Sequence, residues 1–421
     1  MARRSTRYCL LLATLPLLPL LLLTSAVHAQ MTHPYGLEQM MYVSDNDLTG
    51  TPRFVGMVGA MTAVGGDPSA VKQNPAGLGV YRHSQFSVSA DGTFSRFWQP
   101  DAMGRGELYS RWHLSQVSYV FSLTHAERVA GVVGNNIMIS YAKRTDILMN
   151  VTLNDRSMRK TDAQDWLEMR TDEYGYRNDV DFHYAMNISN RVYWGVGLTM
   201  EWAQVRQTID RWAYTAEDRR GRTRIYDLSE TATGRTVGVG GSIGVLVHPI
   251  QMLRIGLSVE SPVTGRMRET DYYDEHISYP NTEGQNVNNE SPDYGTNWQM
   301  VTPLKISTGV GLQWKQRGLL SLQYDLQYHN LTGVAHTARA GLEVAMNNHW
   351  MLETGYAYST LFDKQRASLG VNYMGKWLRV GVAYSFGWSR GKVLDYPLYR
   401  TEQGIYCTSE SRLVFSFQWN S

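Results

Sequence analysis

The 421 residues carry 40 Lys and Arg against 38 Asp and Glu, a formal net charge of +2. A balance this close to neutral gives no electrostatic footing for nucleic-acid binding. Of the 2 cysteines, Cys9 falls in an apolar leader and Cys407 stands alone in the rest, which excludes an intramolecular disulfide and a cysteine-based metal cluster.

The leader itself carries Arg3, Arg4 and Arg7, then an apolar stretch from Tyr8 to Leu23, then Val27-His28-Ala29. This is the pattern of a secretory signal peptide over residues 1–29, cleaved after Ala29, and it sends the protein out of the cytoplasm. No later run reaches the roughly eighteen apolar residues of a helical span, and mean hydropathy is −0.34, so helical membrane spans are set aside.

Residues 30–80 do not alternate and are rich in small side chains: Gly56, Gly59, Ala60, Ala63, Gly65 and Gly66. Phe54 to Val64 reads as a short helix, and Asp67-Pro68 as an N-cap followed by proline at the first helical position. Asn74 before Pro75 is expected to be extended and to lead into a turn, with Gly77 able to adopt positive φ.

From about Ser84 the pattern changes to strict alternation, which is the mark of strands with two unlike faces. Between Trp377 and Trp388, Leu378, Val380, Val382, Tyr384 and Phe386 fall on one side and Arg379, Gly381, Ala383, Ser385 and Gly387 on the other. Similar segments fall at Gln85 to Trp98, Trp112 to Leu123, Val129 to Tyr141, Thr145 to Asn154, Val180 to Ile188, Val192 to Val205 and Val237 to Val247. Others follow at Leu253 to Glu260, Gly265 to Tyr273, Leu304 to Trp314, Leu319 to Tyr328, Arg339 to Met346, Met351 to Ser359, Ala367 to Met374 and Leu413 to Trp419. Their count, roughly twelve to sixteen, and their length suit tilted membrane strands of about nine to eleven residues. Connections alternate between tight turns, such as Met374-Gly375-Lys376, and long polar stretches, such as Arg206 to Thr236 and Asp274 to Gln299. Short turns at one end and long loops at the other are the habit of outer-membrane barrels. Among 26 Tyr and 12 Trp, several stand near segment ends, at Trp194, Trp202, Trp314, Trp377, Trp388 and Trp419. Amphipathic rings collect at the lipid boundary, so these mark aromatic girdles. The fold class is therefore all-β, a transmembrane antiparallel β-barrel. Its non-greasy face, full of Gly, Ala, Ser and Gln, suits a crowded lumen better than a water-facing surface. The last segment, Phe415-Ser416-Phe417-Gln418-Trp419, resembles the terminal strand that barrel-assembly machinery recognises.

The string from Gly66 through Asp67-Pro68-Ser69-Ala70-Val71-Lys72-Gln73-Asn74-Pro75-Ala76-Gly77-Leu78 resembles the N-terminal signature of the FadL/TodX family of outer-membrane transporters. Asp67, Ala70, Asn74, Pro75, Ala76, Gly77 and Leu78 match it. Pro68 replaces a usual Ala, and Lys72-Gln73 stands where aromatic residues are common. The resemblance implies a barrel of about fourteen strands, residues 81–421, with an N-terminal hatch, residues 30–80, plugging the lumen. It implies passage of hydrophobic compounds such as long-chain fatty acids past the lipopolysaccharide layer of a Gram-negative outer membrane, with no cofactor. Capture by extracellular loops, a lumen site beside the hatch and sideways release through the wall belong to the same implication.

A carboxylate ligand would want a cation in the lumen, and alternation puts Arg254, Lys305, Arg339 and Arg379 on the inner face, with Glu201, Asp325 and Glu343 there to neutralise them. A loop from Tyr272 to Trp298, with Tyr273, Tyr279 and Tyr294, is a candidate capture surface. The rival role comes from relatives that serve the type IX secretion system and shuttle or anchor exported proteins. An enzyme would need a nucleophile, base and orienter at one rim, and Asp181 and His183 share a face with no partner serine evident. The 11 histidines are scattered, which speaks against a metal site.

Overall fold

The computed structural model describes residues 48–98, 108–129, 131–155, 166–215, 224–279, 287–314, 317–329, 333–393 and 404–420. The leader and the first residues assigned to the hatch lie outside them. No helix among the described residues is long and apolar enough to cross a membrane.

The strand segments are β1 Gln85–Trp98, β2 Leu108–Val129, β3 Val132–Asp155, β4 Trp166–Ile188, β5 Val192–Thr215, β6 Arg224–Ile250, β7 Leu253–Glu260 and β8 Thr264–Ser278. They continue as β9 Val287–Val301, β10 Leu304–Trp314, β11 Gly318–His329, β12 Gly333–Ala345, β13 Trp350–Ser359, β14 Lys364–Met374, β15 Leu378–Val393 and β16 Gly404–Asn420. Each pairs antiparallel with its neighbours, β16 pairs β1, and β5 pairs β6, so the sheet closes on itself. Closure leaves no unpaired edge in lipid, where an unmet backbone group costs several kcal/mol.

β7 and β8 form one barrel strand and β9 and β10 the next, which makes the barrel fourteen-stranded. Their two ladders share one register, Glu260 facing Lys305 and Thr264 facing Val301, so Pro262 stands opposite Pro303. Neither proline has an N–H to give, and the ladder is interrupted there. Beside the gap, Thr302 N–H donates to the Val263 carbonyl at 3.0 Å while Val263 N–H turns to Thr302 Oγ1 at 2.7 Å.

The greasy face looks outward. Leu198, Val239, Leu322, Leu369 and Phe417 are exposed on the outside, while Gly195, Thr199, Glu201, Ser321 and Ser416 face the lumen. Trp314, Trp350, Trp377 and Trp419 ring the short-turn end, and Trp112 and Trp388 stand on the opposite side of the belt. The eleven residue steps from Trp377 to Trp388 span roughly 36 Å along a strand, or about 26 Å along the normal at a tilt of about 45°. That matches the apolar band of about 25 Å of an outer-membrane barrel.

Several boundaries differ from the alternation. The segment Val129 to Tyr141 straddles the β2–β3 turn, with Val129 ending β2, and its part from Val132 continues through a bulge at Lys143/Thr145 into Thr145 to Asn154 as one strand, β3. In the polar stretches Arg206 to Thr236 and Asp274 to Gln299, residues 206–215, 224–236, 274–278 and 287–299 continue β5, β6, β8 and β9 as strand where loop was expected. Beyond the lipid both faces of a strand meet water, so hydrogen bonding persists while alternation stops. The wall is correspondingly uneven: β2 to β6 run 22 to 27 residues, β11 to β14 only 10 to 13.

Candidate functional site: the plugged lumen

Residues 48–80 lie inside the barrel, and nearly all of their side chains are buried. Helix α1, Pro52–Gly56, is capped by Thr51, whose hydroxyl accepts from Phe54 N–H. It is shorter than the Phe54 to Val64 expected, because Val58 and Gly59 take positive φ, 50° and 72°, and turn the chain. Helix α2, Pro68–Gln73, starts as expected, with Asp67 at the N-cap and proline first. Asn74 is extended at φ −141°, as required before Pro75, and caps the 3-10 turn Pro75–Val80. Gly77 does not take positive φ; Gly65 and Gly66 do. Its value is space, since a Cβ there would lie 3.0 Å from Gly65 Cα.

Each matched residue of the motif has a physical task in the plug. The Asp67 carboxylate accepts from Ser69 N–H at 2.9 Å and from the Thr51 hydroxyl at 2.7 Å, which ties the two helices together. Burial pushes its carboxyl above the ordinary range, opposed by Arg53 and these hydrogen bonds. Asn74 accepts from Ala76 N–H at 3.1 Å and donates to the carbonyls of Thr62, at 2.7 Å, and Val245, at 3.3 Å, so one amide joins two hatch segments and the wall. Ala70 and Ala76 are packed away from solvent, and Leu78 packs with Val71, Val120, Met138 and Ala185. Asn74→Ala is expected to lower the opening free energy of the hatch by about 2 to 3 kcal/mol, the loss of three bonds at about 1 kcal/mol each. Hydrogen exchange of residues 62–78 measures this, and unchanged exchange would reduce Asn74 to a mere helix stop.

The glycines of the inner face explain how close the plug sits. A Cβ at Gly195 would lie 2.5 Å from Pro75 C and O; at Gly355, 2.8 Å from Met57 C; at Gly341, 2.9 Å from Met57 O; and at Gly256 it would overlap Thr62 O. Hatch main chain therefore rests directly on wall main chain. Its carbonyls are met from the wall: Leu48 O by Arg412 at 2.8 Å, Gly56 O by Ser368 at 2.7 Å, Gln73 O by Ser258 at 2.6 Å and Leu78 O by Asn136 at 2.7 Å. Buried carbonyls need such partners.

Two of the four lumen cations belong to this tethering. Arg254 donates to Val64 O at 3.0 Å and to Gln313, and Arg339 donates to Val58 O at 3.0 Å while pairing Asp325 at 2.8 Å. Arg379 is half-buried near the short-turn end, and Glu343 there pairs Arg53 at 2.5 Å. Lys305 is different, because it lines a cavity of about 110 Å³ on the long-strand side of the hatch. Lys72, Arg144, Arg177, Glu201, Glu260 and Gln73 line it too, with Ser261, Val263, Thr302 and Pro303 of the interrupted ladder at its side. Lys72 pairs Asp179 and lies 3.6 Å from Asp181; Arg144 holds the same two carboxylates at 2.6 Å and 3.2 Å. Here lies the reason for a lysine where the motif has an aromatic residue: the wall opposite carries two buried acids. The other two pairs, Arg177 with Glu201 at 3.6 Å and Lys305 with Glu260 at 3.7 Å, are longer than hydrogen bonds. Arg144 escaped the alternation because it is the bulged residue of β3, and Arg177 and Asp179 because they precede Val180, where alternation became clear.

Asp181 is engaged by Thr199 at 2.6 Å as well, so it orients no imidazole. Ser242 and His183 both border Gly197, yet neither His183 ring nitrogen nor Ser242 Oγ makes a hydrogen bond. No cluster of metal-ligating side chains occurs among the described residues. In the expected capture loop, residues 272–278 and 287–298 belong to strands β8 and β9, with Tyr272 exposed, and residues 280–286 lie outside the described residues.

No family model matches the sequence, and no curated protein matches it. Solved structures do match the fold. The Pseudomonas putida toluene transporter TodX superposes with a TM-score of 0.57 at 14% identity, over 89% of this chain and 99% of that one. A Pseudomonas aeruginosa FadL homologue gives 0.58 at 11%, over 88% and 98%. The Ralstonia pickettii toluene transporter TbuX gives 0.58 at 14%, over 89% and 99%. With its closed fourteen-stranded wall, its lipid-facing belt and the Asp67 to Leu78 motif seated in the lumen, this chain has the fold of the FadL/TodX outer-membrane channels.

Proposed function

We propose that the protein admits hydrophobic and amphipathic compounds, long-chain fatty acids among them, across the outer membrane past a hatch that fills the barrel. The observation that carries this reading is the cavity beside α2, which lies against the hatch and reaches the one described place where facing prolines interrupt the wall ladder. Its lining sets the charged groups of Lys72, Arg144, Arg177, Glu201, Glu260 and Lys305 beside a comparable share of apolar surface, so it suits an amphipathic molecule better than a bare hydrocarbon. A carboxylate head would join the long Lys305–Glu260 and Arg177–Glu201 pairs, where low dielectric strengthens each contact.

Liposomes carrying the purified protein test this with two probes, oleate and toluene. Lys305→Gln is expected to lower oleate uptake about tenfold, equivalent to about 1.4 kcal/mol, and to leave toluene uptake within about twofold. Equal losses for both would place Lys305 in the scaffold instead of the ligand path. Absence of uptake of either by the wild type would sink the transport reading. The second reading, an accessory barrel for exported proteins, draws on the tall hairpin β8–β9, whose outer edge pairs no described strand. It would then be tested by secretion in a deletion strain.

A further inference from the structure

The short-turn end of the barrel carries cations beside each other's interfacial aromatics and no described acid in its turns. Arg191 follows Ser189-Asn190 in the β4–β5 turn, three residues before Trp194. Arg317 closes the β10–β11 turn, three residues after Trp314, and Lys376 lies in the β14–β15 turn with its Nζ 5.3 Å from the centroid of the Trp377 ring. Arg82 leads into β1, four residues before the outward-facing Phe86, and reaches Asn190. All four side chains are exposed. The described residues of these turns, 81–84, 131, 189–191, 248–252, 317, 346–349 and 375–377, include no Asp or Glu; Glu127, beside Arg128, stands at the end of β2 just before its turn. At the other end, β8 alone carries Glu269, Asp271, Asp274 and Glu275.

Aromatic rings fix the level at which these cations lie. Trp314, Trp350, Trp377 and Trp419 are outward and exposed, and such rings settle at the boundary between hydrocarbon and headgroup. Side chains one to three residues beyond them, toward the turn, therefore fall at headgroup depth. Lysine and arginine there keep their stems along the apolar wall and their charges in the polar layer. A cation set at that depth, in turns whose described residues include no acid, is complementary to phosphate groups that carry no compensating amine.

We infer that the basic turns, with Arg191, Arg317 and Lys376 as principal contacts, bind anionic phospholipid headgroups of the periplasmic leaflet in preference to zwitterionic ones. The occupant follows from continuity with the aromatic ring, since the cations border lipid-facing tryptophans around the wall and not a groove fitted to a folded partner. Which compounds pass the hatch has no bearing on it.

Reconstitution in vesicles of equal phosphatidylglycerol and phosphatidylethanolamine, followed by native mass spectrometry of the released protein, counts the lipids retained. The wild type is expected to retain phosphatidylglycerol over phosphatidylethanolamine at a ratio at least about fivefold that of the membrane, the preference given by one basic residue near an anionic surface. Arg191→Gln/Arg317→Gln/Lys376→Gln is expected to return the ratio to that of the membrane. Salt at about 0.5 M during release should weaken the preference in the wild type, because the contacts are exposed. Heat-modifiable migration of the variant on a denaturing gel shows that the barrel is folded. A wild type that keeps the two lipids in their membrane ratio overturns the inference, and so does a folded triple variant that retains the full preference. Salt-sensitive binding of polyglutamate without lipid preference would assign the surface to an acidic protein and equally overturn it.

Discussion

Valine at both Gly195 and Gly256 is expected to drive the hatch from the lumen and leave an open barrel. The added side chains would begin where hatch main chain already lies, against Pro75 at 2.5 Å and against Thr62 O with Ala63 Cα at 2.9 Å. Backbone cannot rotate aside as a side chain does, so neither clash is relieved locally. Overpacking at one such position costs about 1 to 3 kcal/mol, and the two sites press on hatch segments that the Asn74 amide joins, so both clashes act on one network. The wall itself has no reason to open, because Gly195 and Gly256 lie within continuous ladders to β4, β6 and β10. Limited proteolysis should then cleave within residues 48–80 while the barrel keeps its heat-modifiable migration, and planar bilayers should show conductance well above wild type. A protected hatch in the double variant would mean that the glycines are incidental to plugging.

Arg339→Leu is expected to destabilise the seated hatch by about 3 to 5 kcal/mol, the usual cost of removing one partner from a buried ion pair. Asp325 is fully buried, and Arg339 supplies its counter-charge at 2.8 Å. The same guanidinium holds Val58 O at 3.0 Å, where the hatch turns through positive φ, and Asp325 accepts from Gln323, whose other end accepts from Thr62 N–H at 3.0 Å. One wall network thus meets a hatch carbonyl and a hatch amide. Lysine in place of Arg339 should recover only part of the loss, since a point charge cannot serve both oxygens with a planar fork. Asp325→Leu combined with Arg339→Leu should recover most of the ion-pair penalty and none of the Val58 tether. Urea titration of hatch exchange rates separates these outcomes, and a single variant as stable as wild type would show that the pair contributes nothing net.

Much of this architecture is legible in residue order, and particular places show why. β1, β7 and β10 match the alternating segments to the residue, because in the membrane every second side chain meets hydrocarbon and the rest meet the plug. Alternation says nothing of β9, or of the upper parts of β5, β6 and β8, where water wets both faces and hydrogen bonding alone continues the strand. The cap at Asp67 and the extended Asn74 follow from local rules, whereas the end of α1 at Gly56 does not. That end depends on Arg339 and Leu48, which pack against the turn at Gly59 from distant parts of the chain.

The lumen divides in the same way. Inward placement of Arg254, Lys305, Arg339, Glu201 and Asp325 follows from a period of two, but their partners do not. Val58 is 281 residues from Arg339 and Val64 is 190 from Arg254, and only closure of the barrel around the hatch brings them together. By itself the sequence determined which face of each strand meets lipid and that the other face is small and crowded, because solvent preference acts residue by residue. Tertiary structure alone decided which glycines admit hatch backbone, that Pro262 confronts Pro303, and that Lys72 finds Asp179, because register and close approach are properties of segments far apart in the chain.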